Sequence, residues 1–345
     1  MTTKSTIYQF CRALPKIELH AHLNGSLSMS ILTELGCMDT SIVRYMNLTD
    51  ILNKKERALD ECFKLFKVAH DATNTPDSVY IATKRVIEEF DHDNVMYLEL
   101  RTTPRSEENM SKQEYIESVI KAIKENDKNI TVKLILSINR SHDMKNSQES
   151  LEVILNMKKI FPDIIKGIDL SGNPNVGKFE AAIFKTAKEN SLYTTIHCAE
   201  VKNDEEVKDI LNFGPDRLGH ATFLHPRYDG CQENWQLYCE KRIPIECCMT
   251  SNVICGTSES YKKHHIQEWI KNGLPFCIST DDKGVFCTSL SEEYEYANEF
   301  FDLSKEDMWK VSLNAVDYSF ASNAEKLLYK SKLNEWKRDN ENLFL

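Results

Sequence analysis

His20 and His22 stand in "KIELHAHLNGS", residues 16–26, with a single alanine between two imidazoles. On a strand, side chains at i and i+2 point the same way. Both rings therefore share one face with Glu18, while Leu19, Ala21 and Leu23 take the other. Two neutral imidazoles aimed at a common centre form a pair of metal ligands. Taken alone, the pattern reads more simply as a polar strand face, or as core histidines bonded to carbonyls.

Further reactive side chains recur at the ends of apolar runs: His197 and Glu200 in "HCAE", His220 in "RLGH", Asp281 and Asp282 in "STDD". Arg105, Asn139, Gly172 and Asn252 hold comparable places. His20, His22, His197 and Asp281 together supply three imidazoles and a carboxylate, a set that suits Zn²⁺ with one position left for water. Cys198 follows His197 directly, so it points to the opposite side and is expected in the core. Asp281 and Asp282 cannot point the same way on a regular strand. One is expected to ligate and its neighbour to face a substrate, although an isolated Asp-Asp pair at a strand end reads as a helix N-cap. Glu200 comes three residues after His197, so the chain must turn for it to lean over the site. Carboxylates crowded in a dry cleft protonate more readily, which makes Glu200 a candidate general acid. His220 is placed to orient or deprotonate a water at the metal; by itself it reads as a core histidine.

Eight short apolar runs must position these groups: residues 16–24, 95–104, 131–140, 165–172, 193–200, 217–222, 244–252 and 274–282. From the second onward they recur about every 30 residues, the spacing of a strand, a crossover helix and two loops. Near-continuous apolar strands alternating with amphipathic helices predict a parallel sheet covered on both faces. Eight such units predict a closed (β/α)₈ TIM barrel, whose active site forms at the C-terminal ends of the strands. Residues 25–94 are too many for one crossover and predict a helical insertion flanking the mouth. "SKQEYIESVIKAIKEN" predicts a helix capped by Ser111. "SKEDMWKVSLNAVDYSF" predicts a C-terminal helix capped by Ser304, with Met308, Val311, Ala315 and Tyr318 on one face. The pair His264–His265 reads as a polar loop with no assigned chemistry.

The 345 residues, 41% of them hydrophobic, fit a single barrel domain spanning 1–345. A net charge of −10 argues against nucleic acid or an anionic membrane as partner. A small anionic ligand is still compatible, because a local pocket can oppose the global sign. Eleven cysteines, an odd number with no C-x-x-C, and the lack of a signal-like or membrane-spanning run predict reduced thiols in a cytosolic protein.

"ELHAHLNGS", "DLSGN", "HCAE", "RLGH" and "STDD" occur in the order and spacing of the adenosine/AMP deaminase family of metal-dependent hydrolases, which the chain therefore resembles. The resemblance runs from about residue 12 to 320. "YLELRTTPR", "DLSGNPNVG" and "STDDKGVF" place it nearest the branch that removes methylamine from N6-substituted purine nucleoside monophosphates, turning N6-methyl-AMP and water into IMP. The resemblance implies one Zn²⁺ per chain on His20, His22, His197 and Asp281, lowering the pKa of a water toward neutrality. It implies that Glu200 shuttles a proton to purine N1, that His220 holds the attacking oxygen and that a protonated Asp282 faces N7. Gly172 then lies near N3, and His22 lies against the substrate as well. Nucleoside deaminases have Asp where this chain has Asn24. A carboxylate there would repel a 5′-phosphate, whereas an amide donates to it. Thr102, Thr103, Pro104, Arg105 and His70 are the further candidate phosphate and ribose contacts, and a monomer is expected. The alternative is an ordinary adenosine deaminase, with Asn24 as the discriminating residue. A catalytically inactive purine-binding barrel would have lost Glu200, His220 or Asp282.

Overall fold

A computed structural model of the chain describes residues 6–37 and 59–344. Eight strands lie side by side in chain order: β1 Lys16–His22, β2 Val95–Thr102, β3 Thr131–Asn139 and β4 Ile165–Ser171, then β5 Tyr193–Cys198, β6 Arg217–His220, β7 Ile245–Cys247 and β8 Phe276–Ile278. Every neighbouring pair is parallel. The ring is drawn shut just past β8. There His22 N donates to Asp281 O at 3.0 Å, and Asp281 N donates to His20 O at 2.8 Å. Closure of the barrel thus sets Asp281 beside both histidines of β1, as the (β/α)₈ expectation requires.

All eight residues of β2 are buried, as befits a strand covered on both faces. The outer side of the sheet packs on the helices in one continuous apolar core that includes Cys198. The interior is charged. Arg101 bonds Asp169 at 3.2 Å and Glu246 at 2.8 Å; Arg217 bonds Glu246 and Glu99, each at 2.5 Å; all five side chains are fully buried. Removing one member of such a network leaves an uncompensated buried charge, at a cost of roughly 3–5 kcal/mol.

Among the described residues, the long connection between β1 and β2 holds the helices Met29–Glu34, Leu59–Ala72 and Pro76–His92, and the part of the expected insertion at 38–58 lies outside those residues. Thr75 and Ser78 form a reciprocal cap ahead of Pro76, whose missing N–H costs nothing in the first turn. The second of these helices brings Phe66 and His70 to the barrel mouth. Ser111 and Ser304 cap their helices as expected, and Met308, Val311 and Ala315 are buried, with Tyr318 half-buried. The run 244–252 is strand only as far as Cys247; Asn252 sits on a following helix, Met249–Ile254, rather than at a strand end.

Candidate active site

The C-terminal mouth of the barrel opens into a cavity of about 360 Å³. At its floor, the outward nitrogens of His20, His22 and His197 and a carboxylate oxygen of Asp281 all lie within 4.8 Å of one another. His22 Nε2 is 3.2 Å from His197 Nε2 and 3.3 Å from Asp281 Oδ1, while His20 Nε2 is 3.4 Å from the same oxygen. An ion with tetrahedral bonds of about 2.0–2.1 Å sets its ligand atoms about 3.3 Å apart. The four atoms therefore outline an ion-sized hole.

His20 Nε2 is fully buried with Asp281 Oδ1 3.4 Å away and no good hydrogen bond among the described residues, a place that suits a positive charge. Burial and Arg101 oppose a proton on His20. Glu246 and Asp281 nonetheless raise its pKa to about 9, so the enclosure favours positive charge. A second convergent group, His220, Cys248 and Asp281, shares the same carboxylate. Burial pushes the Cys248 thiol well above its ordinary range, and a thiol that keeps its proton is a poor ligand.

Two carboxylates behind the histidines aim them. His20 Nδ1 meets Glu246 at 2.6 Å, and His197 Nδ1 meets Asp169 at 2.9 Å. Burial would raise both acids, but His197 with Arg101 holds Asp169 ionised, and Arg101 with Arg217 does so for Glu246. With a cation at the site, each imidazole is thereby fixed with its proton on Nδ1 and its lone pair on Nε2. The sequence reading singles out neither acid. The signal is there: a charged residue in the middle of an apolar strand. Asp169→Asn is expected to weaken metal binding by about 10–100-fold, read by competition against a chelator.

The other reactive groups stand above this floor. Glu200 Oε1 is buried without a partner among the described residues, and Oε2 lies 3.7 Å from His220 Nε2. His220 Nε2 is also 3.8 Å from Asp281 Oδ2. Both separations are too long for direct hydrogen bonds, and an oxygen set to one side of the line between them could bond both partners. Burial pushes His220 down to about 4, so the ring is neutral at pH 7. Ser251 Oγ donates to Asp281 Oδ2 at 2.7 Å and leaves Oδ1 to the histidines. Asp282 packs against Gly25, where an added Cβ would come within 1.6 Å of its carboxylate.

Ala199, His220, Ala221 and Asp281 all have φ between +55° and +60°, a region that side chains other than glycine avoid. The left-handed turn at Ala199 is what swings Glu200 back over the mouth. Such backbones cost about 1–3 kcal/mol each and mark sites held in one geometry by their surroundings.

His22, Asn24, His70, Thr102, Thr103, Arg105, Gly172 and Asp282 line the cavity with Glu200 and His220. Pro104 does not; between Thr103 and Arg105 it is buried and off the cavity wall. Arg105 is less available than its type suggests. Its Nε bonds Glu107, and Nη2 donates to the carbonyls of His70 and Thr73 and to Thr73 Oγ1, which ties the inserted helix to the barrel. Among the described residues only its Nη1 finds no partner. Thr73 Oγ1 approaches Asn24 Oδ1 as donor at 3.5 Å, the limit of a hydrogen bond, which leaves the Asn24 amide N–H groups for the cavity. Gly172 has φ +100°, and a Cβ there would meet Asn139 Oδ1 at 2.3 Å, so glycine is required before any ligand enters.

His264 and His265, expected to form an idle polar loop, are wholly buried beside Asn252 and His220. A wider groove of about 560 Å³ elsewhere is lined by charges already paired, Arg85 with Glu34 and Arg12 with Asp93, and among the described residues it holds no comparable cluster.

Residues 15–336 match the family described as adenosine deaminase. The chain belongs to that family. It is 42% identical over 326 residues to the adenosine deaminase-like protein of Drosophila melanogaster, covering 92% of this chain and 95% of that one. It is 41% identical over 320 residues to the N6-methyl-AMP deaminase of Danio rerio, covering 90% and 92%. Among solved structures it resembles Arabidopsis ADAL complexed with IMP, with a TM-score of 0.86 and 35% identity over 96% of this chain and 99% of that one. The family is metal-dependent, and the His₃Asp group is where this member offers a metal site.

Proposed function

We propose that the chain is a hydrolytic deaminase that converts N6-methyl-AMP and water to IMP and methylamine, working as a single-domain monomer in the cytosol. The observation that carries this is the meeting, in one cavity, of an ion-sized His₃Asp group with Glu200, His220 and Asn24. Relatives at 36–41% identity named N6-methyl-AMP deaminase, and a neighbour solved with IMP, support the substrate. No helix among the described residues is long and apolar enough to cross a membrane.

The residues that would hold one Zn²⁺ are His20, His22, His197 and Asp281; bound there, the ion supplies a water that ionises near neutral pH. The chain's own groups do the rest. Glu200, which lines the cavity and whose Oε1 is unpaired among the described residues, gives a proton to purine N1 so that C6 becomes electrophilic. His220 hydrogen-bonds the attacking oxygen. Asp282, protonated, donates to N7, while Gly172 allows the ring to approach the backbone near N3. Asn24 donates its amide to the 5′-phosphate, with Thr102, Thr103, His70 and the unpaired Nη1 of Arg105 around it.

A steady-state comparison of N6-methyl-AMP, AMP, N6-methyladenosine and adenosine tests the reading, and N6-methyl-AMP is expected to be turned over alone. Asn24→Asp is expected to cut kcat/KM for the nucleotide by about 1,000-fold, because a charge about 4 Å from a phosphate costs about 4 kcal/mol at a surface-like dielectric. Adenosine turnover would hold or rise. A wild-type preference for adenosine would point instead to an ordinary adenosine deaminase.

A further inference from the structure

His264 and His265 lie on the loop ahead of the helix Ile266–Asn272, away from the cavity wall; His265 bonds the His220 main chain, and His264 reaches the His220 ring through Asn252. Their hydrogen bonds can be followed proton by proton. Ile266 N–H donates to His264 Nδ1 at 3.2 Å, so that nitrogen carries a lone pair and the ring proton sits on Nε2. Burial keeps this ring neutral, with no second proton to place. His264 Nε2 then donates to Asn252 Oδ1 at 2.9 Å, which fixes the amide's orientation. The amide nitrogen turns the other way. One of its protons goes to Thr257 Oγ1 at 3.3 Å, whose own proton goes to the Asn252 carbonyl, and the other faces His220 Nδ1 at 3.2 Å. An N–H can face only an acceptor, so His220 Nδ1 bears the lone pair and Nε2 the proton. Separately, His265 Nε2 donates to the His220 carbonyl at 2.8 Å, at a residue whose φ is +59°.

We propose that Asn252 and His264 are positioning residues that hold His220 as its Nε2–H tautomer, making it a donor to the attacking oxygen and ruling out its neutral ring as the general base. Of the two roles the sequence allows for His220, orienting the water or deprotonating it, the relay selects the first. Of the two carboxylates beside the gap, Asp281 is assigned to the metal and to Ser251, so proton removal is left to Glu200, which later delivers that proton to the purine ring. His265 adds a second hold, on the strained main chain. The proposal rests on the reading of His220 as a group that touches the attacking oxygen.

Asn252→Asp is the direct test, because it keeps the shape and the acceptor for His264 but offers His220 an acceptor in place of a donor. The ring proton must then move to Nδ1, leaving Nε2 bare. At about pH 9, where an imidazole carries a single proton, kcat is expected to fall about 100-fold with KM within about threefold of wild type. The ¹⁵N resonances of His220 should report Nε2–H in the wild type and Nδ1–H in the variant. A wild-type Nδ1–H tautomer, an unchanged kcat, or a loss carried by KM overturns the proposal.

Should Asn252→Asp fail to fold, His264→Gln and His264→Phe decide. Gln keeps a donor for Asn252 and is expected to turn over about tenfold faster than Phe at equal melting temperature, the loss of one hydrogen bond in the relay; equal rates overturn the relay. His220→Ala separates the two levels of the argument. If it leaves kcat intact, the reading of His220 at the reaction centre fails, whatever tautomer is seen.

Discussion

Glu200→Gln is expected to lower kcat by about 10³–10⁴-fold while metal content and nucleotide binding stay close to wild type. The change removes one ionisable oxygen and keeps the shape. Glu200 Oε1 is buried without a hydrogen-bond partner among the described residues, so the new amide breaks no existing bond there. What is lost is the ability to take a proton and return it to the purine ring. The activated ring is the costly species, so the loss should fall on kcat and leave KM nearly unchanged. Single-turnover rates with N6-methyl-AMP, beside an IMP-binding titration, check this. A Glu200→Gln enzyme that keeps a rate within about tenfold of wild type would move the proton shuttle to another group, with Asp282 the next to test.

Removal of the metal is expected to abolish turnover, by about 10⁴-fold or more, and Zn²⁺ should restore it in step with occupancy up to one ion per chain. Without an ion, three imidazoles and a carboxylate face one another across 3.2–3.4 Å with no bond among them but shared protons. Binding to the folded state alone stabilises it by about 4 kcal/mol when free metal stands about a thousandfold above Kd, so the melting temperature should fall on stripping. His197→Ala should reproduce both effects without a chelator, since it removes one corner of the hole and leaves Asp169 facing a void. Metal analysis, calorimetry and activity on the same samples settle it. Full activity in a metal-free preparation would refute the assignment of the His₃Asp group.

Much of this site is legible in the sequence. The i, i+2 pairing of His20 and His22 is a property of any strand, and the position of Cys198 on the opposite face from His197 follows from the same alternation. The turn that Glu200 needs appears as the left-handed Ala199. Eight apolar runs at regular spacing imply the barrel, and Ser111 and Ser304 mark the starts of their helices, because periodicity and capping act over a few residues.

What the sequence hides is always non-local. Arg105 has the type of a phosphate ligand, yet it spends most of its donors on Thr73, His70 and Glu107, a partnership set by where the inserted helix lands. Pro104 stands among cavity-lining neighbours and is buried behind them. Asn252 reads as a strand-end residue and sits on a helix, because β7 stops after three residues. His264 and His265, which look like two polar residues in a loop, are buried and bonded to Asn252 and the His220 carbonyl.

Local pattern thus settles the chemistry on offer: four imidazoles, three carboxylates and an amide, each on a segment whose own residues dictate strand or turn. How those groups are charged and aimed is a matter of the closed fold. Strand order brings Asp281 to β1, Arg101 keeps Asp169 and Glu246 ionised, and the helix after β7 fixes the proton on His220. Side-chain direction along a strand depends on the nearest residues in the chain. Protonation and tautomer depend on groups far away along it, and only closure of the barrel brings those within hydrogen-bond reach.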